Sequence, residues 1–345
     1  MDLSSAAAET GTVEPHGSDH GPEVRLHHLQ HQPSARAARL AWIVLGYNVF
    51  VVLWGAFVRA SGSGAGCGRH WPLCNGEVVP QPRSIATVIE AGHRLTSGIA
   101  LLGVVWLAIA TFRAVPRGAR ARKAVVAAGA FMLGEALLGA GLVLYELVAH
   151  DASMKRADSM ILHLSNPVLL LGALALTAWF LRQHGRDRTE LAPKRQGLVR
   201  AAMAAALGGV LVLGASGAIA ALGDTLFPVR SLAEGFAQDL SPVAHAFTRL
   251  RVYHPFFAIA AGALVLGSAT LVRSVSPSAT ARRISHLVTI LFVVQFTAGL
   301  VNLVLLAPTA MQLVHLLLAD AMWISLVLMA WEAWTPRSPS SVEVA

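Results

Sequence analysis

Long stretches of the chain carry no charged side chain. Residues 41–58, 95–112, 159–181, 201–223 and 252–272 contain no Asp, Glu, Lys or Arg, and residues 124–145 hold only Glu135. A helix needs about 20 such residues to cross a hydrocarbon core about 30 Å thick, so each stretch predicts a membrane span. A further apolar run, 284–319, is too long for one span, and Pro308 divides it. Proline removes a backbone donor and clashes with the preceding turn, so the run reads as spans over 284–306 and 309–334. The pattern predicts an all-α integral membrane protein of eight transmembrane helices.

Composition agrees. The 345 residues are 55% hydrophobic and only 13% charged, against about 25% charged in soluble domains. Residues 1–36 are polar and hold five of the fourteen histidines (His16, His20, His27, His28 and His31). No cleavable signal peptide is expected there. Such a segment buries too little apolar surface to offset its ordering entropy, and a disordered cytoplasmic tail is expected over 1–36, ahead of a metal-binding one. Basic residues in short loops set orientation. With the N-terminus inside, 18 of the 27 Lys and Arg residues fall on the cytoplasmic side, clustered at Arg113–Lys123, Arg182–Arg200 and Arg273–Arg283. Nine, including Arg59 and Arg94, then lie at the outer face. The net charge of +8 therefore reads as a topology signal and an attraction to anionic lipid heads, with no nucleic-acid partner. The expected location is the cytoplasmic membrane, with both termini cytoplasmic.

The two halves of the chain echo each other. Gly55-Ala56 matches Gly214-Ala215 at an offset of 159, His93 matches His254 at 161, and Glu135-x-x-x-Gly139 matches Gln295-x-x-x-Gly299 at 160. His163 matches His315 at 152, across a longer connection after the third span. This order predicts two tandem, pseudo-symmetric four-helix bundles, a parallel repeat in the membrane. The bundles are placed at 37–183 and 196–335, the first with an outer loop over 61–83. A cytoplasmic linker over 184–195 joins them, and 336–345 forms a cytoplasmic tail. Gly and Ala rows in 127–141 and 201–223 suit close helix packing in lipid.

His93, His163, His254 and His315 all fall within about two turns of the outer end of spans two, four, six and eight, roughly 6–12 Å deep at 1.5 Å per residue. An ionisable side chain inside a bilayer is a functional candidate by default. One such histidine is more often a bond between helices, but four at one depth on alternate helices of a repeat point to ligands. Four-helix bundles build cofactor sites from side chains facing across the core, and imidazole is a standard axial ligand for heme iron. The expected pairs are His93 with His163, and His254 with His315. His70, His150, His184, His245 and His286 sit in loops or near helix ends, where solvated or capping roles are expected.

Glu90 stands three residues before His93 and so shares its helical face. A carboxylate neutralised by Arg94 or Arg59 is the plain alternative to a chemical role. Glu-x-x-His also occurs in di-iron bundles, but those need a second such motif, which the sequence lacks. Glu135 and Asp320 are further acids inside spans, with structural and functional roles both open. Cys67 and Cys74 fall in the outer loop, where oxidising surroundings favour a disulfide. A structural staple and a redox role are equal readings of that pair.

At this point the sequence resembles the heme A synthase family. The resemblance rests on Gly55-Ala56-Phe57-Val58-Arg59-Ala60-Ser61-Gly62-Ser63-Gly64, then Cys67-Gly68-Arg69-His70-Trp71-Pro72-Leu73-Cys74-Asn75-Gly76, then Ile89-Glu90-Ala91-Gly92-His93-Arg94. It runs over about 37–334, and the motif set in this order is specific. It implies oxidation of a methyl group of heme O to the formyl group of heme A, for assembly of a terminal oxidase. It also implies that His254 and His315 ligate heme b as cofactor, and that His93 and His163 hold the heme O substrate with Glu90 beside the reacting methyl. Arg59 and Arg94 become candidate propionate contacts, and Cys67–Cys74 corresponds to the family's outer-loop disulfide. A heme O synthase, the protoheme farnesyltransferase, is then the expected upstream partner. The sequence identifies no electron acceptor and leaves a homo-oligomer open. His254 is followed by Pro255 where His93 is followed by Arg94, and Glu135 stands where the second half has Gln295. The two sites are therefore not interchangeable.

The rival reading is a b-type electron carrier with two permanent hemes, which accounts for the histidines but leaves Glu90 and the elaborate loop unexplained. A transporter is less well supported, since the helices lack the paired Gly/Pro interruptions of a midplane site.

Overall fold

The computed structural model describes residues 22–82, 84–183, 193–276 and 278–334. The expected tail 336–345 and most of the linker 184–195 lie outside the described residues, as do residues 1–21. The described residues form ten helices. In chain order they are α1 (Pro22–Ala60), α2 (Ile85–Ala114), α3 (Arg120–Leu144), α4 (Met154–Arg182), α5 (Pro193–Leu226), α6 (Leu232–Leu240), α7 (Ala246–Arg251), α8 (His254–Val275), α9 (Ala279–Val304) and α10 (Thr309–Trp334). Eight segments are long and apolar enough to cross a membrane, α7 and α8 together making the sixth. The fold is all-α, as the hydrophobic pattern requires, and the protein is a multi-pass membrane protein.

Helix ends follow the local chemistry. Ser84, Ser153 and Ser278 each accept a hydrogen bond from the backbone N–H three residues on, satisfying a donor that the helix leaves orphaned. After α3 and after α9 the chain turns in the same way. Leu147 N donates to Leu142 O (2.9 Å) and Ala307 N donates to Asn302 O (2.8 Å). Glu146 and Leu306 take the left-handed φ values (58° and 60°) that this closure needs. Pro308 follows directly and sets the start of α10, at the division expected from sequence.

Helix α1 packs on α2 and α4, and α3 on α2 and α4. In the second half α5 packs on α8 and α10, and α9 on α8 and α10. The first group centres on buried Leu107, Val125, Leu171 and Leu174, the second on Met203, Val265, Val288 and Leu326. The groups meet where α4 lies against α5 and α10 and α1 lies against α10. Far from the α1–α2 loop this seam is aromatic: Trp179 Nε1 donates to Glu332 Oε1 (2.8 Å), and Phe180 meets Trp331 edge-on at 4.6 Å. Large apolar side chains such as Leu102, Trp106 and Ile290 face outward, as a helix bundle in lipid requires.

The structure departs from the sequence reading at three places. Helix α1 starts at Pro22, inside the segment expected to be disordered. The sixth span is broken: Pro255, with no N–H to give to a preceding turn, sits in the first turn of α8, and His254 is that helix's first residue. The short helix α6 precedes it, opened by the Ser231 side chain accepting from Glu234 N.

Candidate functional site

Helices α2, α4, α8 and α10 all start at the end of the bundle that carries the α1–α2 loop. His93, His163 and His315 lie 6 to 9 residues into their helices, about 9–14 Å along the axis. His254 reaches its place at the α7–α8 break. The His93 ring is within electrostatic reach of His163, and the His254 ring of His315. These are the pairs expected from the repeat.

All four rings are seated in one way. Each turns its Cε1 edge toward a glycine on the preceding long helix. A β-carbon would stand 2.9 Å from the ring at Gly55 (His93), 3.1 Å at Gly217 (His254), 3.5 Å at Gly139 (His163) and 2.9 Å at Gly299 (His315). The sequence reading placed Gly214 opposite Gly55, but Gly214 has nothing within 4 Å and Gly217, one turn on, is the residue against the ring. At Gly55, Gly217 and Gly299 a ring this close leaves little room for a side chain, whereas at Gly139 the contact is an ordinary one.

The ring nitrogens meet different partners. Ser216 Oγ lies 3.0 Å from His254 Nδ1. Glu135 Oε1 lies 3.1 Å from His163 Nδ1, and its other oxygen accepts from Asn166 Nδ2 (2.8 Å). Gln295 Nε2 lies 3.3 Å from His315 Nε2, while the buried Nδ1 atoms of His93 and His315 have no hydrogen-bond partner and that of His163 has only its ion-pair contact with Glu135. A group that holds Nδ1 fixes the ring and leaves Nε2 to a ligand. Ser216 and Asn166 were missed in the sequence, because a lone polar residue in an apolar helix carries no periodic signal.

Above His93 the α1–α2 loop is locked. Cys67 and Cys74 form a disulfide with Cα atoms 4.4 Å apart. Glu90, 4% exposed, accepts from Cys67 N at Oε2 (2.8 Å) and from Arg94 Nη2 at Oε1 (2.6 Å). Arg94 Nη1 also donates to the carbonyls of His70 (2.5 Å) and Leu73 (2.6 Å) inside the disulfide ring. Of the two arginines weighed as partners of Glu90, Arg94 is the one beside it. Arg59 instead crosses to the second half, donating to Ala221 O, Thr225 Oγ1 and Gln312 Oε1. Both guanidinium groups already serve protein acceptors, so a propionate would have to share them.

Above His254 the corresponding loop is held by charge. Arg251 Nε donates to Asp239 Oδ1 (2.6 Å), Nη1 to Asp224 Oδ1 (3.2 Å) and Nη2 to Gln238 Oε1 (3.1 Å). Burial pushes the Asp239 carboxyl above its ordinary value, against the pull of Arg251. His245 caps α7, accepting from Phe247 N, between the rings of Phe227 and Phe247. Asp320 is buried further down α10 with Oδ2 unpartnered.

Among the described residues no three His, Cys, Asp or Glu side chains converge as a bare metal would need. Two facing imidazoles with glycine seats suit an iron whose other ligands come from a porphyrin. The residues present fit a heme at each pair, provided that Gln295 gives up its contact with His315 Nε2.

The chain is similar to several curated proteins. A protein of Thermus thermophilus described as protoheme IX farnesyltransferase is 46% identical over 299 residues, 87% of this chain and 48% of its own length. The chain thus spans about half the length of the curated relatives it matches over most of its own length. Heme A synthases match over shorter stretches. That of Staphylococcus haemolyticus is 37% identical over 132 residues, 38% of this chain and 42% of its own. That of Bacillus cereus (strain AH187) is 41% identical over 97 residues, 28% of this chain and 31% of its own. The family model described as cytochrome oxidase assembly protein matches residues 38–327. That match covers all but the ends of the described helices, and the chain belongs to the cytochrome oxidase assembly protein family, as its heme A synthase motifs led us to expect.

Proposed function

We propose that this protein is a heme A synthase, oxidising a methyl group of heme O to the formyl group of heme A. The observation that carries the reading is the set of four glycine-seated histidines, two at each of two sites, with a buried carboxylate locked one turn from His93. In this reading His254 and His315 hold heme b, and His93 and His163 hold the substrate. A heme b held there would pass electrons from the substrate one at a time to an acceptor outside this chain, a chemistry no side chain provides.

The chain's own residues do the rest. The glycine seats fix each ring against its neighbouring helix. Ser216 and Glu135 orient two of the rings through Nδ1. The apolar walls exclude water and grip a flat, greasy substrate. Glu90, on the face of His93, is the residue we assign to the reacting carbon, where it stabilises developing positive charge or takes a proton. Its bonds to Arg94 and Cys67 N hold the carboxylate in place before the substrate arrives, and such pre-organisation is where most of an enzyme's electrostatic advantage lies. Arg94 is assigned to the propionate end, whereas Arg59, already bound to three neutral acceptors of the second half, is not. The basic-residue bias puts this end of the bundle outside the cytoplasmic membrane and both termini within the cytoplasm. A protoheme farnesyltransferase supplies the substrate, and the extent of the Thermus match supports that link.

The test is to extract hemes from membranes in which the protein is made together with a heme O synthase. The parent should yield heme A. Losing a group that stabilises transition-state charge in a dry site costs about 3–4 kcal/mol, or about 100- to 1,000-fold in rate. Glu90→Ala should therefore keep heme b and accumulate heme O or its alcohol. A permanent two-heme carrier would leave heme O unchanged in the parent itself.

A further inference from the structure

We propose that Arg59 is a positioning residue shared by the two histidine sites, a fixed positive charge that ties the two halves together and raises the reduction potential at both. The inference rests on the heme reading above.

The geometry places Arg59 one helical turn from two of the four glycine seats and, through Gln312, one turn from His315 itself. On α1 it follows Gly55, the seat of His93, by four residues and so shares its face. On α5 its Nη1 reaches Ala221 O (2.7 Å) and Thr225 Oγ1 (2.6 Å). Those residues lie one and two turns beyond Gly217, the seat of His254. On α10 its Nη2 reaches Gln312 Oε1 (2.7 Å), three residues before His315. Gln312 is held in turn by donating from Nε2 to Ala307 O (2.6 Å). One planar guanidinium therefore joins the ends of α1, α5 and α10, which the rigid fork of arginine does at less entropic cost than a lysine would.

The charge is left largely uncompensated. All three acceptors are neutral, and a guanidinium does not give up its proton. Asp224 acts on Arg59 electrostatically, but it is itself hydrogen-bonded to Arg251, and Arg156 adds a second positive charge nearby. Charges in a low-dielectric interior are poorly screened. Adding an electron to an iron near a positive charge is favoured, so Arg59 should make both hemes easier to reduce. A propionate contact at one heme alone would act on that heme and not on the other.

The experiment is a potentiometric titration, followed by absorption, of purified protein carrying heme b and heme O. Arg59→Gln should move both midpoint potentials downward. Arg59→Lys, which keeps the charge without the fork, should leave both near the parental values. If Arg59→Gln moves one potential only, or neither, the shared role is wrong. If Arg59→Lys shifts both as far as Arg59→Gln does, charge is not the cause and the proposal falls. A parental protein that binds no heme at His254 and His315 would overturn the heme reading first, and this inference with it, so the two failures are distinguishable.

Discussion

The two histidine sites share a scaffold and differ in charge. Three residues before His93 stands Glu90, and three before His254 stands Arg251. Each ties its site to the loop above, with the signs reversed. Glu90 accepts from the backbone of a disulfide-closed loop, while Arg251 donates to two carboxylates around α6. The contrast recurs deeper. The carboxylate of Glu135 stands at His163, and the neutral amide of Gln295, 160 residues on, stands at His315. At the rings the first site has the Glu135 carboxylate where the second has an amide and a hydroxyl, while at the loops Glu90 is paired with Arg94 and Arg251 with Asp224 and Asp239. A carboxylate near a metal-bound imidazole raises its basicity and favours the oxidised iron, which suits a site where a substrate is to lose electrons. The uncharged Ser216 and Gln295 at the second pair suit a resident cofactor that accepts them.

Breaking the loop ties should give the largest effects. Arg251→Ala leaves Asp239, whose side chain is 13% exposed, without its partner, and removing one member of a buried ion pair costs about 3–5 kcal/mol. Faster proteolysis within 227–245 and a lower melting temperature should follow. Opening the Cys67–Cys74 ring should cost less, about 2–3 kcal/mol by chain entropy. Thiol reagents should label Cys67 and Cys74 only after reduction; labelling of the untreated protein would contradict the staple.

The charge contrast is sharpened by exchanging it. Glu135→Gln should raise the midpoint potential of the heme at His93 and His163, and Gln295→Glu should lower that at His254 and His315. Loss of an outer-shell partner also weakens ligand binding by about 10- to 100-fold, so Glu135→Gln should loosen heme O in a binding titration. Equal potentials in parent and exchanged proteins would remove charge as the distinction between the sites.

The glycine seats offer the finest grading. A methyl group at Gly55 or Gly299 would press on a ring at 2.9 Å, whereas Gly139 has ordinary room at 3.5 Å. Gly55→Ala and Gly299→Ala should cost about 1–3 kcal/mol, as overpacking does, and lower heme occupancy at their own site. Gly139→Ala should be close to neutral. Equal losses across the three variants would show that the seats do not set ring position.

Much of this was legible in the sequence because a bilayer imposes one-dimensional rules. Charge-free runs gave the eight spans, and Pro308 gave the division between the last two. The equal depth of four histidines gave the pairing, and Arg94 and Arg59 were both open as partners for Glu90. What stayed hidden depends on contacts between distant segments. Arg59 reaches Gln312 across 253 positions, and nothing local distinguishes that from an arginine facing lipid heads. Gly217 stands 162 positions after Gly55, close to the 161 between His93 and His254, and the Gly-Ala pair at 214 draws the match three residues short. Helix α6 escaped because a nine-residue amphipathic helix is too short to stand out in a hydropathy pattern.

The central claim is a division of labour: the second pair holds a resident heme and the first holds the substrate. The direct measurement is heme type and content in purified double variants, each made alongside a heme O synthase. His93→Ala with His163→Ala should retain the low-spin heme b spectrum, leave heme O unconverted and yield no heme A. His254→Ala with His315→Ala should lose heme b. If the first variant loses heme b, or still makes heme A, the assignment of the two sites is contradicted.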